Sequence, residues 1–254
     1  MEDKIELVEI LKKYKNEIDL HKRFDYKFDE KTTILTDDEK SELLKKNSIY
    51  EKNVRLKELI KHKYNGPLEN QELNFWIINS WGGIQNFKLN DTNEQKIKKF
   101  AGQLKINKLS AETFSIISSL SKIASFFDPD NFVIYDSRVI FTINWLILNS
   151  KPNDLKFFPM PASRNKNLVD FDLSTIINLL YKDEYNNKSS HFHPVNTAYF
   201  EFCDLIKDLS KKVYEDATVK PYFLEMLLFT IAIEEILKDF KSNTTIYIKS
   251  KSIY

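Results

Sequence analysis

Apolar positions along this chain recur mostly at intervals of three and four, the spacing that gathers side chains on one face of a helix. Ile5, Leu7, Val8, Ile10 and Leu11 follow it among charges, and Leu56, Leu59 and Ile60 repeat it later. Between them Lys22 to Asn53 is polar and mixed in charge, which reads as loose connections with one helix around Asp37–Lys46 and Asp37 as its cap. Asn65-Gly66-Pro67 marks a turn before a helix over Glu69 to Ser80. Trp81-Gly82-Gly83 ends that helix. Two adjacent glycines imply a backbone conformation or a close approach that a side chain would prevent, and a C-terminal helix turn is the plainer use.

Further helices are predicted over Glu94–Leu104, Ala111–Ser118 with Ser110 as cap, and Ser121–Phe127. Asp128-Pro129-Asp130 stops the last of these, Phe132 to Tyr135 is extended, and Asp136 opens an apolar helix through Leu148. Pro152, Pro159 and Pro161 mark a long loop. Helices over Leu173–Lys182, Asn196–Tyr214 and Pro221–Phe240 follow, with Pro221 at the first helical position. The alternating tail Thr244–Tyr254 is an edge strand or a frayed end. The reading is all-α, with a central helix-turn-helix region and neither repeats nor a Pro/Ser linker.

Composition narrows the function classes. Hydrophobic residues make up 42% and charged residues 30% of the 254, a globular balance. The single cysteine, Cys203, excludes a disulfide framework and any all-cysteine metal site, and suits a reducing compartment. No apolar stretch reaches the roughly 18 residues that span a bilayer, and the start lacks the apolar core of a signal peptide. A cytoplasmic protein without membrane contact is expected. A net charge of +1 gives no global sign of a nucleic-acid partner and leaves room for a local basic face.

The segment with most chemical content is Ser118 to Phe127 followed by Phe132 to Val139. Lys122 lies near the start of a helix otherwise built of apolar and small residues, where desolvation and the positive end of the helix disfavour an ammonium. Asp136 follows an apolar run at an N-cap position. Fourteen positions separate them, enough chain to turn back and bring the two helix starts together. An amine of lowered pKa beside a carboxylate suits nucleophilic catalysis through a Schiff base. A solvated lysine and an ordinary capping aspartate explain the same residues.

Ser118–Ala124 and then Tyr135-Asp136-Ser137-Arg138-Val139 resemble the central signature of the helix-hairpin-helix DNA glycosylases, most closely the 8-oxoguanine DNA glycosylase branch. The resemblance implies that Lys122 attacks C1′ of a damaged nucleotide and that Asp136 orients the helix start and assists at the sugar. A second match, Tyr222 to Phe229, resembles the late helix of those enzymes. It implies that Glu225 meets the Watson–Crick edge of the flipped base and Phe229 stacks on its face; four residues apart, both point from one face of a helix. Glutamate replaces the family's glutamine. Guanine and 8-oxoguanine present N1–H and the N2 amine along one edge, and a carboxylate can accept from both.

The family's hairpin is glycine-rich, whereas Ser118, Ser119 and Ser121 stand here; Ser119 and Ser121 are the expected phosphate contacts, with Arg138. Lys105, Lys108 and Lys151 also flank the segment. Gly83 is expected to offer a backbone carbonyl to the base, as the resemblance implies. His191-Phe192-His193 lacks a carboxylate or cysteine at ligand spacing and reads as loop, so no metal or other cofactor is expected. The resemblance covers Glu69 to Phe240 and implies two helical subdomains flanking a cleft, with a helical extension over 1–60, the glycosylase-like domain over 61–240 and a tail over 241–254. The expected partner is double-stranded DNA carrying a modified purine, acted on by a monomer with glycosylase and AP-lyase activity in base excision. Two readings stand beside it: a non-catalytic DNA- or protein-binding module of the same fold, in phage defence for example, and a structural protein in which Lys122 and Asp136 form an ion pair.

Overall fold

The computed structural model describes residues 5–29, 32–64, 66, 68–150, 155–162, 168, 172–181 and 191–245. Among these no strand forms, and the one isolated bridge, between Phe157 and Phe192, ties the proline-bearing loop to the segment before the late helices. The fold is all-α, as the periodicity predicts. The helices in chain order are α1 (Ile5–Glu17), α2 (Leu20–Arg23), α3 (Asp37–Leu44), α4 (Ile49–Lys61), α5 (Gln71–Trp76), α6 (Asp91–Lys105), α7 (Ala111–Ser115), α8 (Ile117–Phe127), α9 (Ser137–Ser150), α10 (Leu173–Leu180), α11 (Ala198–Tyr214), α12 (Tyr222–Ile231) and α13 (Lys238–Asn243). A π-helical turn extends α5 through Ile77–Trp81, and another, Ala232–Leu237, joins α12 to α13.

Capping side chains set most boundaries and account for the departures from expectation. Thr36, not Asp37, caps α3: its hydroxyl accepts from the Glu39 N–H while the Glu39 carboxylate accepts from the Thr36 N–H. Ser48 starts α4 inside the stretch expected to be loose, by accepting from the Glu51 N–H. Asn70 and Asn90 start α5 and α6 in the same way, and Ser110 caps α7 as expected. Pro221 sits at the cap of α12 rather than inside it. The largest shift falls in the central hairpin. The turn is at Ile116 and α8 begins at Ile117, so Ser118, Ser119 and Ser121 are helical and Lys122 lies in the second turn.

One main core runs through the chain, with a small second cluster of Phe24, Tyr222 and Met226 beside it. Leu7 and Leu11 of α1 pack with α9 and α11, and Leu56 and Ile60 of α4 pack against α8. The core thus runs across residue 60, where the expected extension over 1–60 ends. The α9 helix is buried on nearly all sides, which explains its almost unbroken apolar sequence. Its few polar residues have set partners: Thr142 donates to the Leu228 carbonyl, and Asn144 clamps the Phe158 N–H and C=O.

The extended run between α8 and α9 is held by side chains in place of a sheet. The Ser121 hydroxyl accepts from the Tyr135 N–H at 3.0 Å, Glu225 from the Ile134 N–H at 3.3 Å, and Tyr199 donates to the Val133 carbonyl at 3.2 Å. These bonds fix how the start of α9 faces α8. The alternating tail beyond residue 245, Asn65, Pro67, Lys151 and Pro152 lie outside the described residues. No described helix is long and apolar enough to cross a membrane.

Candidate active site

A cavity of about 610 Å3 opens where α4, the end of α5, α8, the start of α9 and α12 converge. Of the eight site residues expected from sequence, Lys122, Asp136, Glu225, Phe229, Gly83, Ser119 and Arg138 all line it. Ser121 does not. It is fully buried and committed to the Tyr135 N–H, so the expectation of a phosphate contact there is corrected: its hydroxyl braces the hairpin from inside.

Lys122 is 6% exposed, and its Nζ donates to the Ser118 carbonyl one turn back at 2.9 Å. Burial lowers its pKa against the opposing pull of Asp136 and Glu225. Desolvation among apolar neighbours is the leading cause, whereas the helix end, at Ile117, lies more than a turn away. Asp136 accepts from the Arg138 N–H through Oδ1 at 2.9 Å and so caps α9 as expected. No ion pair within 4 Å joins it to Lys122, which leaves the amine without the salt bridge that a purely structural pair would form.

Glu225 projects from the first turn of α12 and is only 4% exposed. Burial raises its pKa, opposed by Lys57, the Ile134 N–H and Lys122. Phe229, one turn later, is half-buried beside Tyr26 and Phe24, with ring centroids at 5.7 and 6.0 Å. The Arg138 guanidinium lies over the Phe229 ring at 4.6 Å, a cation–π contact on a surface where a planar group could otherwise stack.

Several lining residues were not picked out by the sequence reading. Tyr26 packs between Phe229 and Trp81, and the Trp81 Nε1–H donates to Asn53, whose amide nitrogen donates to the Tyr26 carbonyl. The segment Phe24–Tyr26 is thereby fixed as one wall. Lys57, fully buried on α4, donates to the Ser125 hydroxyl at 3.0 Å, and that hydroxyl donates to the Lys122 carbonyl. Asn53, Leu56, Lys57 and Ile60 share the buried face of α4, so two polar residues at core spacing were the available signal.

The adjacent glycines serve both uses foreseen for them. Gly82 closes the π-helical turn with its N–H on the Ile77 carbonyl at 2.7 Å, and a Cβ there would lie 2.8 Å from Cδ of Lys122. Gly83 has φ +65°, the left-handed region that favours glycine. Lys105 and Lys108 are exposed and do not line the cavity. His193 stacks on Phe158, His191 meets Tyr181 at a tilt of 34°, and no group of side chains suited to a metal ion occurs among the described residues.

Comparison with known proteins gave no match to any family model, to any curated protein or to any solved structure.

Proposed function

We propose that the protein is a DNA glycosylase that removes a flipped, modified purine, with 8-oxoguanine the first candidate, through attack by Lys122. The observation that carries this reading is convergence. Two motifs about ninety residues apart supply an amine, a helix-start carboxylate, a second carboxylate and an aromatic ring, and these four side chains, Lys122, Asp136, Glu225 and Phe229, line one cavity. In this reading two helical subdomains flank the cavity as a cleft, and the target nucleotide leaves the duplex to enter it, because C1′ is out of reach within the base stack.

Lys122 as neutral amine forms a bond from Nζ to C1′ while the C1′–N9 bond breaks. The electron pair leaves on N9, which takes up a proton, and the amine gives up one. Opening of the C1′–O4′ bond, with O4′ keeping the electron pair and taking up a proton, then yields a protonated imine between Nζ and C1′. Loss of a C2′ proton and cleavage of the C3′–O3′ bond, with the phosphate leaving, nicks the strand by β-elimination. Asp136 stands near the amine and stabilises the cationic sugar. Phe229 offers its ring to the base once Arg138 moves toward the backbone phosphates, where Ser119 also lies. The steps require no metal or redox group.

Borohydride trapping on duplexes carrying 8-oxoguanine opposite each base tests the reading. A covalent adduct with wild type that is absent with Lys122→Gln is expected. An equally abundant adduct with the variant would remove Lys122 as nucleophile, and a wild type that forms none and releases no base would favour the non-catalytic binding module.

A further inference from the structure

Lys57 is a buried ionisable group to which the proposed chemistry gives no task. An ammonium has three N–H donors, and here one is used, on the Ser125 hydroxyl. The others face aromatic rings, with Phe126 at 4.6 Å, Trp81 at 5.7 Å and Tyr222 at 5.8 Å. A fully enclosed cation with spare donors is costly and calls for an explanation beyond packing. Its placement offers one. Lys57 borders the cavity together with Glu225, and each feels the other's charge, yet no ion pair within 4 Å joins them. A space flanked by a donor and an acceptor suits a ligand edge that presents an acceptor beside donors.

Resting on the glycosylase reading, we propose that Lys57 and Glu225 form one base reader that restricts the substrate to 6-oxopurines. The Lys57 ammonium donates to the 6-oxo oxygen, and the Glu225 carboxylate accepts from N1–H and, where present, the 2-amino group. A 6-aminopurine reverses both contacts, setting its amino group against the ammonium and its bare N1 against the carboxylate. Leaving buried partners mismatched in this way is the strongest form of discrimination a pocket has. Lys57 does not serve as a second nucleophile: its Nζ is anchored to the Ser125 hydroxyl, and in this reading it meets the base edge beside Glu225 and not C1′.

The test uses the full chain and duplexes carrying 8-oxoguanine, hypoxanthine, 8-oxoadenine or an abasic site. Wild type should excise the two 6-oxopurines at least tenfold faster than 8-oxoadenine. Lys57→Met should shrink that ratio roughly 10- to 100-fold, the size of one charge-assisted hydrogen bond in a closed site. Because the reading is a ratio, a general loss of activity does not mimic it. An unchanged ratio in a variant that still melts cooperatively overturns the proposal. So does a wild type that removes 8-oxoadenine as fast as 8-oxoguanine, or removes none of the three bases while forming a borohydride adduct at the abasic site; these outcomes hold even where the variant does not fold. A wild type that forms no adduct at the abasic site removes the glycosylase reading itself, and the base reader with it.

Discussion

Replacing Lys57 by methionine should stabilise the protein at neutral pH, although it deletes a hydrogen-bonded side chain from the core. Methionine keeps the length and most of the volume of the lysine stem. Burial brings the Lys57 pKa from its ordinary 10.5 down to about 8, with Glu225 opposing and Lys122 adding to the fall. Each factor of ten in proton affinity is worth about 1.4 kcal/mol, so holding the ammonium inside the fold at pH 7 costs about 3 kcal/mol. The cation–π contact with Phe126 returns about 1 kcal/mol, and Glu225, deprived of a cation, takes up a proton more readily. A net gain of about 1–2 kcal/mol remains for the variant.

The sign of the pH dependence is fixed by the same numbers. Below pH 8 lysine 57 is charged whether folded or unfolded, and the full cost is present. Between about 8 and 10.5 the unfolded chain binds more protons, so wild-type stability rises with pH relative to the variant. Urea unfolding of both proteins at pH 7, 8, 9 and 10 measures that difference, and the tyrosines that titrate near the top of the range are common to both. A variant several kcal/mol less stable at every pH, with a gap that does not change, would refute the reasoning, because the ammonium would then be well satisfied where it lies.

Other substitutions probe other parts of the site. Asp136→Asn keeps a good helix cap and should leave the melting temperature within a few degrees; because Asp136 pulls the Lys122 pKa upward, the pH at which adduct formation rises should move lower, and an unmoved limb would separate the two residues. Gly82→Ala places a Cβ 2.6 Å from the Ile78 carbonyl and 2.8 Å from the Lys122 stem, so adduct formation should drop at least tenfold with about 1–3 kcal/mol of stability; a variant with wild-type adduct yield would show that the stem adjusts freely. Phe229→Ala should weaken binding to a duplex with a flipped modified base by about 1–3 kcal/mol, the worth of one stacking face, with little change for undamaged duplex, as fluorescence anisotropy would report. Ser121→Ala strands the buried Tyr135 N–H and should cost about 1–3 kcal/mol in urea unfolding, without altering the salt dependence of DNA binding.

The helical architecture was legible because most helices carry their own caps and an apolar stripe. The π-helical turns were not, and neither were the short α2 and the early start of α4, whose caps Asp19 and Ser48 are local but lie in a stretch without an apolar stripe. For the site, Lys122, Asp136, Glu225 and Phe229 stood out through the resemblance of two short motifs, since their spacing alone fits a solvated lysine, a capping aspartate and ordinary helix positions equally well. Ser121 misled because a serine in a hairpin reads alike whether its hydroxyl faces phosphate or a backbone amide in the interior, and only the position of the turn at Ile116 decides. Lys57 escaped notice among many lysines, although its place between Leu56 and Ile60 on an apolar face was the clue. Tyr26 and Arg138 meet Phe229 only through tertiary packing, and spacing along the chain contains nothing of that.

The wall made by Phe24–Tyr26 bears on how the molecule comes into being. Arg23 beside that wall is ion-paired with Glu235, 212 residues away, and Tyr26 rests on Phe229. During synthesis, the first side of the cavity therefore waits until the chain has emerged through Glu235 before it has anything to close against. Contacts of such sequence separation carry a large loop-closure entropy and slow folding. The nascent chain thus passes through a long interval in which Lys122 has emerged but remains in water as an ordinary ammonium, and the enclosure that lowers its pKa is completed only as the cavity closes, among the last consequences of folding.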